Sequence, residues 1–127
     1  MLAMKPLLIA TAIIEAGAGL ALLCLPASVA LLLFGTPLDT PTALSVARLG
    51  GLGLLALGVA CWLARDDARG PAAQGLAKAM VVYNAGAAGL FAYAAVGVGL
   101  QGVLLWPAAA LHAIMSAWCI ARSVGTR

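Results

Sequence analysis

The sequence predicts an all-α protein embedded in a membrane: one domain over residues 1–127, built as a bundle of four transmembrane helices. Three observations predict it. Of the 127 residues, 65% are hydrophobic and only 9% are charged, whereas a soluble domain carries about 25% charged residues to keep its surface in water. Four segments are apolar over roughly 20 residues, the length at which a helix crosses ~30 Å of hydrocarbon. The cations fall at one end of those segments rather than evenly between them.

The first span runs over about 6–25, starting at Pro6, where a missing amide hydrogen costs nothing. Lys5, the apolar run and Ser28-Val29-Ala30 together have the outline of a signal peptide, but the segment reads here as the first span. After Pro26, residues 27–34 are apolar yet too short to cross, which predicts an interfacial helix or a kinked extension of the first span. A turn-rich connector with Gly35, Pro37, Asp39 and Pro41 leads to the second span, about 42–64. Arg65-Asp66-Asp67-Ala68-Arg69-Gly70-Pro71 leads to the third, about 75–98. A short connector ending at Gly102 precedes the fourth, about 103–121.

Lys5, Arg65, Arg69, Lys78, Arg122 and Arg127 lie at the N-terminus, around the middle connector or at the C-terminus, and the first and third connectors carry no cation. The positive-inside rule then expects a multi-pass protein of a bacterial inner membrane with both termini cytoplasmic. Trp62 and Trp118 near the inner boundary and Trp106 near the outer one are placed as an aromatic belt would place them. The net charge of +3 does not point to nucleic acid, because the basic residues form no patch interleaved with aromatics.

The chain also carries a faint internal repeat. Ile14-Glu15-Ala16-Gly17-Ala18 resembles Tyr83-Asn84-Ala85-Gly86-Ala87, and Ala60-Cys61-Trp62-Leu63-Ala64-Arg65 resembles Ala117-Trp118-Cys119-Ile120-Ala121-Arg122. Two tandem helical hairpins of like orientation would follow, with the extra length of the first after Pro26.

An ionisable side chain within a bilayer costs about 2.5–3.5 kcal/mol on insertion scales, so each one present asks for a reason. One strongly polar residue stands in each span: Glu15, Arg48, Asn84 and His112, the candidate ligand- or proton-binding residues. Glu15, Asn84 and His112 fall within about a helical turn of the midplane. Small residues share their faces: Thr11, Ala12, Ala18 and Gly19; Ala77, Ala87 and Ala88; Ala108, Ala109 and Ser116. Such residues either let helices approach or leave room for a ligand. Arg48 lies about 7–8 Å nearer the outer face at the helical rise and leans outward, so it is expected to snorkel to headgroups or to meet Asp39.

Cys24, Cys61 and Cys119 form neither a disulfide framework nor a metal motif, and read as buried small hydrophobes. His112, Met115 and Cys119 share a face at helical spacing, a soft-metal arrangement, but with a single histidine no metal and no cofactor is expected. No Ser/His/Asp constellation, HExxH motif, phosphate loop or pair of intramembrane carboxylates occurs, so no catalytic residue is assigned and an enzyme is not the expected class.

The size, four-span layout and residue flavour resemble the small bacterial membrane proteins grouped as DoxX-like, which implies a four-helix fold and leaves the activity open. The first span, Ala10-Thr11-Ala12-Ile13-Ile14-Glu15-Ala16-Gly17, resembles that of the small multidrug resistance transporters. That resemblance implies for Glu15 a shared proton and cationic-drug site. The chain departs from them in Arg48, in His112 and in its one-sided charge.

Two functions follow as expectations. One is a non-enzymatic membrane protein binding a lipid, a quinone, another hydrophobic small molecule or a further membrane subunit, a second copy included, through Glu15, Asn84 and His112. The other is a proton-coupled exporter of hydrophobic cations that uses Glu15.

Overall fold

The computed structural model describes residues 4–67 and 69–124; Arg127, expected at the cytoplasmic end, lies outside them. Five helices make up the described chain: α1 (Met4–Cys24), α2 (Pro26–Phe34), α3 (Pro41–Ala64), α4 (Pro71–Val96) and α5 (Leu105–Val124). Three of them, α1, α3 and α4, are long and apolar enough to cross a membrane. The fourth predicted span corresponds to α5, which carries His112 and Arg122 within its 20 residues.

The helix boundaries follow local chemistry. Pro26 has no amide hydrogen and Leu25 leaves the helical region at φ −132° and ψ 52°, so α1 stops and α2 starts as a separate nine-residue helix. At its far end Gly35, at φ 77°, returns its amide to the Leu31 carbonyl, a conformation that excludes most side chains. Thr40 caps α3 by accepting the Ala43 amide at 3.1 Å. Pro71 stands at the first helical position of α4, so that helix reaches back beyond the expected start at Gly75. It stops at Val96, before Gly97 and the positive-φ Gly99.

α1 packs along α3 and α4 along α5, each pair closely, and the two pairs meet more sparingly. Within α1/α3 the backbones touch: a Cβ on Gly19 would lie 2.6 Å from the Gly51 carbonyl oxygen, and one on Gly58 would lie 2.8 Å from the Ala16 amide. Only glycine permits that approach. Between the pairs the core is filled by Met4, Leu7, Leu8 and Ala12 of α1, Cys61 of α3, Ala73, Ala77 and Met80 of α4, and Met115 and Cys119 of α5. Cys24, read from sequence as buried, is exposed, because it is the last residue of α1 before the bend.

At the end of the bundle where α1 stops, α2 is fastened to the α4–α5 loop. Leu104 donates its amide to the Leu32 carbonyl at 2.9 Å, and Gly102 lies directly against the backbone of Leu32 and Leu33. At the opposite end Lys5 reaches Asp66 at 2.6 Å, and Arg65 holds the same carboxylate at 3.2 Å while lying 4.0 Å over the Trp62 ring. The Lys5 hydrogen bond, and less so the charge of Arg65, hold the Asp66 carboxyl below the usual aspartate range.

Some of the buried positions repeat between the pairs at a constant spacing. Met4, Leu8, Thr11 and Glu15 of α1 correspond to Ala73, Ala77, Met80 and Asn84 of α4, and all eight are buried. Gly51, Gly58 and Cys61 of α3 correspond to Ala109, Ser116 and Cys119 of α5, again all buried. The α1/α4 part of the sequence repeat keeps this register, whereas its part over 60–65 and 117–122 is offset by one residue from the buried positions of α3 and α5.

Candidate functional site

Near the middle of the helices the apolar interior is interrupted by a polar layer. On α4, Asn84 is 1% exposed and donates its Nδ2 to the Met80 carbonyl one turn back, at 2.9 Å. Its Oδ1 meets Nδ1 of His112 on α5 at 2.8 Å, which ties the two helices together. A turn nearer the α4 start, Ser116 of α5 reaches the Val81 carbonyl at 3.5 Å, the edge of hydrogen-bonding range.

Glu15 of α1 is 2% exposed and interacts with the Tyr83 side chain of α4. The Tyr83 ring in turn meets the His112 ring edge-on, with centroids 5.6 Å apart and planes at 83°. Phe91 lies 5.6 Å from His112 on another side and touches Phe34 of α2 at 6.2 Å. The order Glu15, Tyr83, His112, Asn84 therefore runs through three helices.

Of the four residues singled out from sequence, Asn84 and His112 are in direct contact, and Glu15 joins them through Tyr83 rather than directly. Arg48 stands apart. Its Nε donates to the Leu23 carbonyl at 3.3 Å, and among the described residues it makes no contact with Asp39, one of the partners expected from sequence. The reason lies in the α1–α2 break: the last carbonyls of α1 lose their helical partners there, and a cation suits the negative end of the helix dipole. Of the small neighbours expected around Glu15, Ala12 and Gly19 are buried and Gly19 lies against α3, whereas Ala18 is exposed.

Sequence reasoning passed over Tyr83 as a site residue. The signal was available, since a tyrosine hydroxyl in the middle of an apolar span needs a partner. The Thr11 hydroxyl, one turn before Glu15, is buried without a hydrogen-bond partner among the described residues. Immediately below this layer come Cys61, Cys119, Met80 and Met115, all 5% exposed or less. Among the described residues no three His, Cys, Asp or Glu side chains gather where a metal ion would sit.

Chemically, the layer offers one carboxyl, one phenol, one amide and one imidazole within apolar walls, with the amide and imidazole bonded to each other and the carboxyl beside the phenol. That suits recognition of a polar group on an otherwise apolar molecule better than hydrolysis, which needs an activated nucleophile and a water path. No family model, no curated protein and no solved structure matches this chain.

Proposed function

We propose that the chain is a non-enzymatic, multi-pass protein of a bacterial inner membrane that binds an apolar or amphipathic partner, a lipid, a quinone or another membrane subunit, through its midplane polar layer. In this reading α1, α3, α4 and α5 are the spans, α2 lies at the outer interface, and both termini are cytoplasmic. The orientation is supported by Lys5, Arg65, Arg69 and Arg122 standing at one end of the helices. Reporter fusions at Asp39 and Gln101 should therefore read periplasmic, and a fusion after Arg127 cytoplasmic. A cytoplasmic signal at Gln101 would remove the fourth span.

The observation that carries the binding reading is the half-buried His112 ring, held by Asn84 and set between Tyr83 and Phe91 in otherwise apolar surroundings. Native mass spectrometry of the protein released from nanodiscs tests it. Wild type should retain one apolar molecule beyond bulk lipid, and His112→Phe should lose it. Identical spectra, with bulk lipid alone in both, would end this reading.

A second reading, the proton-coupled exporter, is favoured by the burial of Glu15 beside Tyr83. It requires a lipophilic cation to displace the Glu15 proton. Titration calorimetry with tetraphenylphosphonium at two pH values separates the two. Proton-linked binding that disappears in Glu15→Gln supports the exporter, and heats equal in wild type and variant support the binder. Arg48, a fixed cation toward the outer end, and the one-sided charge weigh for the binder.

A further inference from the structure

The His112 ring carries one more hydrogen-bonding atom than the bundle uses. The Met80 carbonyl can only accept, so the Asn84 amide must turn its NH2 toward it, at 2.9 Å. That leaves the Asn84 oxygen facing Nδ1 of His112 at 2.8 Å. The oxygen also only accepts, so Nδ1 carries a proton. In the neutral imidazole the lone pair then resides on Nε2.

Nε2 has no hydrogen-bond partner among the described residues, and it is not one of their sealed, unpartnered atoms either. The ring is half-buried, with the Tyr83 and Phe91 rings each 5.6 Å away. On α4 between those two aromatics stand Ala87 and Ala88, both small and partly exposed. The site thus presents an accessible acceptor of fixed tautomer, walled by aromatic rings, in apolar surroundings.

We propose that this acceptor selects the ligand's chemistry: the site takes a lipophilic phenol, whose O–H donates to Nε2 of His112, and rejects the same molecule with that hydrogen replaced. The inference rests on the binding reading above and sharpens it. A phenol supplies both features the niche asks for, a strong donor and a ring that stacks or meets edge-on with Tyr83 and Phe91. An ether at the same place leaves the Nε2 lone pair unpaired and brings a second acceptor against it, the mismatch by which polar sites reject isosteres. Asn84 is a positioning residue here, since it acts only by holding the tautomer.

The test uses the full chain in nanodiscs, with para-nonylphenol and its methyl ether as matched probes, titrated by tryptophan fluorescence against empty nanodiscs. Wild type should bind the phenol tighter by on the order of tenfold or more. His112→Phe should erase that preference by weakening the phenol alone. Asn84→Leu should narrow it, because the freed ring can carry its proton on either nitrogen and meet the ether as a donor. Equal affinity of the two probes for wild type would overturn the donor selection while leaving the binding reading standing. A preference that persists in His112→Phe would also overturn it, by placing the selection elsewhere. If neither probe binds above empty nanodiscs, the phenol proposal falls, while the binding reading stands or falls on the native mass spectra.

Discussion

The two helix pairs occupy equivalent places in the fold and are held together by different means. In α1/α3 the contact is backbone on backbone, with Gly19 against Gly51 and Leu55, and Gly58 against Ala12 and Ala16. In α4/α5 the equivalent inward positions carry Ala109 and Ser116 in place of Gly51 and Gly58, and side chains bridge the gap: Asn84 to His112, and Ser116 to the Val81 carbonyl. On the proposed membrane placement there is no hydrophobic drive between helices, which leaves close van der Waals approach and interhelical hydrogen bonds as the two means available. This chain uses one in each half. A glycine-packed pair brings backbone against backbone, whereas a side-chain-bridged pair places polar side-chain atoms at the contact. That is why His112, rather than any residue of α3, is the accessible group of the layer.

The largest expected effect tests the close-packed half. Gly51→Ala places a Cβ 2.7 Å from the Gly19 carbonyl oxygen, and Gly58→Ala one 2.8 Å from the Ala16 amide, so backbone must move. Each should cost about 1–3 kcal/mol, the usual range for overpacking, in unfolding from mixed micelles. Gly17→Ala is the control, since nothing lies within 4 Å of its Cβ, and it should be neutral or slightly stabilising. Equal losses at Gly17 and Gly51 would show that the approach of α1 to α3 is not the source of stability.

A smaller effect is expected in the bridged half. Removing the Asn84–His112 bond with Asn84→Leu should cost about 0.6–2 kcal/mol, the span found for interhelical hydrogen bonds in membranes. A double-mutant cycle with His112→Phe should show most of it as coupling between the two residues. Additive losses would mean that the two side chains contribute separately and do not bridge the helices. Glu15→Gln should change stability less still, because an amide of the same shape can keep the polar contact with Tyr83; a loss as large as that of Asn84→Leu would contradict this.

The smallest effect lies at the Lys5–Asp66 end. Asp66 has its carboxyl held below the usual range, so its contribution is present above the ordinary aspartate pKa of about 3.9 and is lost as pH falls through the lower folded value. Both partners are exposed, so Lys5→Gln should leave unfolding near neutral pH unchanged and remove only a slight acid sensitivity. A marked loss at neutral pH would show that this surface contact matters more than its exposure allows.

Much of the fold was legible because hydropathy and turn chemistry are local. The apolar runs over 6–25 and 42–64 became α1 and α3 almost at their expected bounds, and the proline and glycine signals at Pro26, Pro41 and Gly35 each mark a helix end. The expected start at Gly75 missed by one turn, because Pro71 was read as a breaker when it stands where a proline begins a helix. The polar residues were equally visible, since an amide, an imidazole and a carboxyl stand out in so apolar a chain. Their partners were not. Arg48 was matched with headgroups and Asp39 because the frayed carbonyl of Leu23 is a backbone group that no residue letter announces.

The amino-acid sequence by itself determined that this chain is helical, which of its segments are apolar enough to lie in a membrane, and which few side chains carry polar chemistry there. Those properties are sums over neighbouring residues or facts about single ones. Only the tertiary structure decided that Glu15 reaches Asn84 and His112 through Tyr83, that α1 touches α3 through glycine, and that Nδ1 rather than Nε2 of His112 is occupied. Each of these depends on the rotation of one helix about its axis relative to another. In a chain whose apolar residues surround every helix, the hydrophobic pattern scarcely constrains that rotation, and the fit of small side chains and a few hydrogen bonds sets it instead.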